Sequence, residues 1–309
     1  MTIDQLISLL AAITLVEMMV SIGLGVTLSD VRLVGKDWQL IARALVANYA
    51  LVPAAAVCLL VWFHADSMVA AGLLVAAVCP GAPYGPPFTA AAKGDVTRAV
   101  GLMVILAGSS AVLAPLLLGL LLPIVAGGRT LEIDVSKMVP TLLGAQLLPL
   151  AFGLWIRRRY PRLADNLLKP AKGLSLLLIV LFTGLILSVQ FRMLSDIHLK
   201  GYVGMLCLVV ASMAAGWSVS RRGDSTKAMV ITTSVRNVGV TLVIATASFA
   251  DTAAITSATA FGLFQTLAIA CVALAWGRLV PGMTLVKSKR PKHQKAYAGD
   301  AFGWNWKSR

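Results

Sequence analysis

The chain has 309 residues, 58% of them hydrophobic and 13% charged, with a mean hydropathy of +0.85. A soluble globular domain carries about 25% charged residues, so this composition excludes one and points to an all-α, multi-spanning membrane protein. The formal charge of +14 does not indicate a nucleic-acid partner, because Lys and Arg lie between and after the apolar runs and form no single patch.

Apolar runs of about 20 residues, the length needed to cross a bilayer, recur along the chain and predict nine transmembrane helices. Segment one runs from about Ile7 to Leu28 and contains Glu17. Because it begins with acidic Asp4 and lacks a basic start, it is expected to stay as a membrane helix and not to be cleaved. Segment two covers about Trp38 to Phe63, with Asn48 and Pro53 inside it. Segment three, about Met68 to Ala92, is interrupted by Cys79-Pro-Gly-Ala-Pro-Tyr-Gly-Pro-Pro87. Each proline removes a backbone donor and clashes one turn back, so four of them with two glycines predict a true break. Segments four to seven span about Ala99 to Val125, Met138 to Trp155, Leu174 to Val189 and Gly201 to Val219. Segment eight, about Ala228 to Phe249, has no proline and only Gly239, so helix propensity alone leaves its continuity open. Segment nine runs from about Ala253 to Trp276.

Alternate connections differ in charge. One set carries Arg32, Lys36, Lys93, Arg98, Arg157, Arg158, Arg159, Arg221 and Lys227; the other carries few cations together with Asp66, Glu132, Asp134, Asp196 and Asp251. The positive-inside rule predicts an external amino terminus and a cytoplasmic carboxyl terminus in a cell inner (plasma) membrane. Residues 1–286 form the membrane domain, and 287–309 are expected to be a basic, disordered cytoplasmic tail. Cys58, Cys79, Cys207 and Cys271 all fall in apolar segments and are expected to be buried free thiols. No His and Cys cluster offers a metal site, and no cofactor is implied. No nucleophile and base pair or phosphate-binding loop indicates an enzyme.

Segment eight holds the residue that dominates the functional reading. Arg236, within Ser234-Val-Arg-Asn-Val-Gly-Val240, is the one Lys or Arg near the middle of an apolar segment. A charge there costs at least about 2.5–3.5 kcal/mol on insertion scales, so it should face a partner or a cavity. The predicted orientation gives segments two to four and seven to nine opposite topology, with segments three and eight in the middle of each trio. Corresponding interrupted segments in inverted halves point to a transporter binding site near the midplane, where the two breaks cross. Unwound backbone is tolerated only where it is buried in protein or lines a cavity.

At these residues the chain resembles the bile acid:sodium symporter family. The likeness rests on Ser21-Ile-Gly-Leu-Gly-Val-Thr-Leu-Ser-Asp30, Asn48 followed by Pro53, Cys79-Pro-Gly with Lys93-Gly-Asp95 after it, and Asn237. Members of that family typically have ten spans, so this chain resembles one lacking the first. The resemblance implies a core domain of segments two to four and seven to nine that holds two crossed discontinuous helices. It also implies a panel of segments one, five and six, with the core rocking or sliding against it.

In sodium-coupled members, a Ser-Asn pair after the first break, hydroxyls on the next helix, and a Glu and a Gln in the second broken helix bind the cations. By position these correspond here to Gly85 and Pro86, Ala99 and Met103, Thr232, and Arg236. Sodium takes oxygen ligands, whereas Arg offers only donors and repels a cation, so sodium coupling at the usual sites is not expected. Three roles stay open for Arg236: a fixed cation in place of the mobile one, a fork for a substrate carboxylate, or a partner for Glu17. Glu17 is either a proton-coupling group or a solvated or paired carboxylate. Asn48 and Gln265 carry over as cavity residues, beside Tyr84, Thr232, Thr233, Ser234, Asn237 and the Pro80-Gly81 backbone.

The sequence thus reads as a secondary transporter or facilitator of a small organic anion, a carboxylate or sulfonate, embedded in a lipid bilayer. Two alternatives remain: a sodium symporter with relocated ligands, and a membrane sensor that binds without transporting.

Overall fold

Backbone polar groups inside a membrane must be satisfied within the chain, and the apolar runs do so as helices, with no strand among the described residues. The computed structural model describes residues 3–279 except 127–130, 132, 196–198, 222 and 251; the tail 287–309 lies outside the described residues. The helices are α1 (Ile3–Gly25), α2 (Leu28–Lys36), α3 (Trp38–Val46), α4 (Val52–Trp62), α5 (Ser67–Ala77), α6 (Gly85–Ala91) and α7 (Val96–Val125). They are followed by α8 (Val135–Leu142), α9 (Leu148–Arg159), α10 (Pro161–Ser195), α11 (Leu199–Ser218), α12 (Asp224–Ser234), α13 (Val238–Ser248) and α14 (Ala253–Leu279).

Seven helical stretches among the described residues are long and apolar enough to cross a membrane. Neither half of the α5–α6 pair is long enough alone, and α10 has a stretch whose side chains are not described, so the expected nine spans are not established by this measure.

Two spans carry a wide turn where a proline follows. Pro53 lies just beyond the π-turn Ala47–Leu51 that joins α3 to α4. Pro149 stands in the same relation to Leu143–Leu147, between α8 and α9. A proline cannot donate to the carbonyl four residues back, and the wider turn accommodates the lost bond without ending the span.

Two packed groups result. α1, α9 and α10 pack on one another. Gly23 and Gly153 set the α1–α9 distance: a Cβ on Gly23 would stand 2.5 Å from the Leu150 carbonyl oxygen and 2.8 Å from the Gly153 Cα. Thr27 then closes α1 and opens α2 through a reciprocal cap with Asp30. In the second group, α14 packs on α5, α11 on α4 and α12, and α6 on α7 and α12. The groups correspond to the expected panel and core. They meet where α1 lies along α13, where α10 touches α14, and where α8 and Leu143–Leu147 touch α7.

The four cysteines are free, but only Cys79 is buried; Cys58 and Cys271 are exposed on the protein surface and Cys207 is intermediate. The expectation of four buried thiols fails for these three because their helix faces lack protein cover, as a lipid-facing helix face does.

Candidate functional site: the helix crossover

Both broken helices are broken. α5 ends at Ala77 and α6 begins at Gly85; α12 ends at Ser234 and α13 begins at Val238. Gly81 turns the first break with φ of +84°, a conformation that glycine adopts without a Cβ penalty. A Cβ there would also lie 2.3 Å from the Ala107 amide nitrogen. In the second break Val235 is extended, and Asn237 caps α13 by accepting from the Val240 amide at 3.3 Å. Asn237 is an efficient N-cap, and so supplies the stop that propensity left open.

The two breaks hydrogen-bond to each other. The Asn237 amide donates to the Cys79 carbonyl at 2.7 Å, and the Asn237 side-chain Nδ2 reaches the Gly81 carbonyl at 3.4 Å. On the opposite side of the strand-like stretch, Gln265 of α14 accepts from the Arg236 amide at 3.1 Å and donates to the Arg236 carbonyl at 3.1 Å. One side-chain amide thus satisfies both backbone groups of the residue that carries the charge.

The Arg236 side chain is 1% exposed, and it is one of the largest fully buried side chains. It donates through Nη1 to the Ala77 carbonyl at 3.1 Å and through Nη2 to Asn48 Oδ1 at 3.0 Å, while its Nε has no partner. Ala77 is the last residue of α5, so the cation sits at the negative end of that helix dipole. Asn48 lies in the π-turn of the second span, and its Nδ2 donates to the Ala44 carbonyl at 2.9 Å and to Thr233 Oγ1 at 3.3 Å. Those two bonds fix Asn48 Oδ1 toward the guanidinium.

The predicted residues divide accordingly. Arg236, Asn237, Asn48, Thr233, Gln265 and the Gly81 backbone come together. Pro80 lies buried in the first break. Thr232 and Ser234 turn their hydroxyls back to the Ala228 and Val230 carbonyls, within α12. Glu17 is not in the cluster: half-buried on α1, it accepts from Ser175 of α10 at 2.6 Å. No ion pair joins it to Arg236 among the described residues, which removes that partner from the three roles.

The positions that match cation ligands in the resemblance are closely packed. Ala99 and Met103 are buried, and a Cβ on Gly85 would touch the Thr232 methyl at 3.3 Å. Among the described residues no group of three or more His, Cys, Asp or Glu side chains is arranged to hold a metal ion.

Tyr84 lies just outside the crossover, at the seam with the panel. There it borders a gap of about 30 Å³ with Thr14, Met18, Phe182, Val238 and Gly239. The first turn of α13 opens onto this gap, and the leading amides of a helix have no intrahelical partner. The panel residues Thr14, Met18 and Phe182 give no sequence signal, since their position depends on how α1 and α10 dock. The backbone acceptors Ala77 and Cys79 were likewise unreadable, because every residue carries a carbonyl.

Comparison with known proteins identifies the family. A family model described as the Sodium Bile acid symporter family matches residues 12–197, more than half of the chain. One similar protein is the "Uncharacterized sodium-dependent transporter YocS" of Bacillus subtilis, 26% identical over 283 residues, covering 87% of this chain and 84% of that one. Another is the "Probable sodium/metabolite cotransporter BASS2, chloroplastic" of Oryza sativa subsp. japonica, 25% identical over 217 residues, or 68% of this chain and 49% of that one. A third is the human "Sodium/bile acid cotransporter 4", 30% identical over 210 residues, or 64% of this chain and 46% of that one. The chain therefore matches about half the length of the latter two. An all-α membrane architecture, two crossed broken helices and a matching family model give one conclusion: the chain belongs to the Sodium Bile acid symporter family, a family of transporters and not of enzymes.

Proposed function

We propose that the protein moves a small organic anion across a membrane by alternating access, with the Arg236 guanidinium standing where sodium-coupled relatives hold a cation. The observation that carries this reading is the buried guanidinium bonded to both the α5 end and Asn48. A fixed charge there polarises the crossover and neutralises its free carbonyls without an ion. The packed Gly85–Thr232 contact, at a position that matches a cation ligand of sodium-coupled members, supports it further.

In this reading the core slides or rocks against the panel, and the chain crosses the membrane nine times. The amino terminus faces outward and residues 287–309 form a cytoplasmic tail in an inner (plasma) membrane. The substrate anion occupies an enlarged form of the seam beside Tyr84 and the α13 amino terminus, whose dipole favours negative charge. Carboxylates and sulfonates are the substrate classes with that chemistry.

A second reading has its own support. The names of the Bacillus, rice and human relatives include sodium, which favours a symporter with relocated cation ligands. Uptake of a panel of labelled organic anions into proteoliposomes, with and without sodium and proton gradients, separates the readings. Uptake indifferent to sodium is the expected result. Uptake that requires a sodium gradient replaces it with the second reading, and binding without flux makes the protein a sensor.

A further inference from the structure

A cavity of about 200 Å³ opens between α3, α7 and the start of α12, and none of its lining residues belongs to the α5–α6 turn. Its lining includes Arg43, Arg98 and Arg221, with Asp37 as the single carboxylate. Asp37 is committed: its Oδ1 caps α3 by accepting from the Leu40 amide at 3.0 Å. The floor is apolar. Leu40 and Met229 are buried there, within a cluster that includes Val34, Ala44 and Leu102. Such a floor keeps water away from one side of the guanidiniums and strengthens their field.

The three arginines are held by the protein but not saturated by it. Arg43 donates through Nε to the Gln39 carbonyl at 2.8 Å and weakly through Nη1 to the Val219 carbonyl at 3.5 Å. Arg221 donates to Gln39 Oε1, and Arg98 pairs with Asp95 at 3.5 Å. A guanidinium carries five N–H donors, so most of the donors in the cavity have no protein acceptor among the described residues. Convergent guanidinium forks match a tetrahedral oxyanion with several acceptor oxygens better than a single carboxylate. Arg98 and Arg221 of its lining also belong to the cation-rich set of connections, which the charge asymmetry assigns to the cytoplasmic leaflet.

We infer that this cavity is a binding site for a phosphoryl group, separate from the crossover, that ties α3 of the first trio to the α11–α12 connection of the second. The phosphoryl group comes either from an anionic phospholipid headgroup or from a free phosphate ester in solution. This inference does not depend on what the crossover transports.

The test is arginine footprinting of the full native chain with a guanidinium-directed dicarbonyl reagent, read by mass spectrometry. One arm compares nanodiscs of phosphatidylglycerol with nanodiscs of phosphatidylcholine. The other adds inorganic phosphate or glycerol phosphate in phosphatidylcholine. Exposed Arg158 is the internal control for the general surface potential. Modification of Arg43, Arg98 and Arg221 should slow by about fivefold or more relative to Arg158, the effect of roughly one basic contact with an anionic surface. Slowing confined to phosphatidylglycerol identifies the lipid; slowing by soluble phosphate as well identifies the free anion. In an Arg98→Gln variant the protection of Arg43 should fall. Slowing no greater at Arg43, Arg98 and Arg221 than at Arg158, in both arms, overturns the inference.

Discussion

If Arg236 fills the place of a cation, the protein should be thermally indifferent to sodium, and removing the guanidinium should create sensitivity. The perturbation is exchange of sodium for choline at constant ionic strength, applied to the natural chain and to an Arg236→Gln, Thr232→Glu double variant. At a separation of about 5 Å and an effective dielectric constant of about 20, a guanidinium and a sodium ion repel by about 3 kcal/mol. That is about two powers of ten in affinity, enough to move a millimolar site to roughly hundreds of millimolar, so that a titration to about 100 mM sodium leaves it mostly empty. The bonds that hold the guanidinium, at 3.1 Å to Ala77 and 3.0 Å to Asn48, keep it from swinging away to admit the ion. The double variant exchanges those donors for oxygen ligands. A site filled to about 100 times its dissociation constant would stabilise it by about 2.7 kcal/mol. The assay is a melting curve in detergent across a sodium titration. The natural chain should show no shift and the variant a saturating rise. A saturating rise in the natural chain would refute the reasoning, since an ion would then be binding beside an intact Arg236.

Four other outcomes are expected. Gln265→Leu strands the Arg236 N–H and carbonyl in a buried site and should cost about 2–6 kcal/mol, at about 1–3 for each group; chemical denaturation showing no loss would remove Gln265 from its clamping role. Gly81→Ala, with φ of +84° and a Cβ 2.3 Å from the Ala107 nitrogen, should abolish folded expression; Gly85→Ala, 3.3 Å from a movable Thr232 methyl, should be tolerated, as size-exclusion profiles would show. Ser110 of α7 bonds Gln146 of the panel at 3.2 Å, so a disulfide between Ser110→Cys and Gln146→Cys should stop uptake and reduction should restore it; uptake unaffected by the cross-link would argue against core movement relative to the panel. Glu17→Gln keeps an acceptor for Ser175 and should leave uptake unchanged at any pH, whereas a lost proton dependence would return Glu17 to the mechanism.

Much of the fold was legible because membrane physics simplifies the chain. Apolar runs fixed the helical class, the proline cluster at Pro80 to Pro87 fixed the first break, and the cost of Arg236 in an apolar segment marked it as a residue that must meet a partner or a cavity. Propensity could not decide the continuity of segment eight. The stop there comes from Asn237 capping α13 while its backbone bonds Cys79, and the second half of that arrangement is a contact across 158 residues. Asn48 was readable as a polar group in a span, but its orientation depends on Ala44 and Thr233.

Sequence by itself determined that this is an all-α membrane protein with a buried cation in its eighth apolar segment, because burial of backbone and charge is costly wherever the segment packs. Only the tertiary structure decided what that cation meets. Ala77, Asn48 and Gln265 lie 159, 188 and 29 residues away, and Glu17, the one carboxylate that sequence offered as its partner, is engaged by Ser175 instead. Partners at that distance are chosen by how helices dock, and docking depends on shape across the whole core, which no local pattern records.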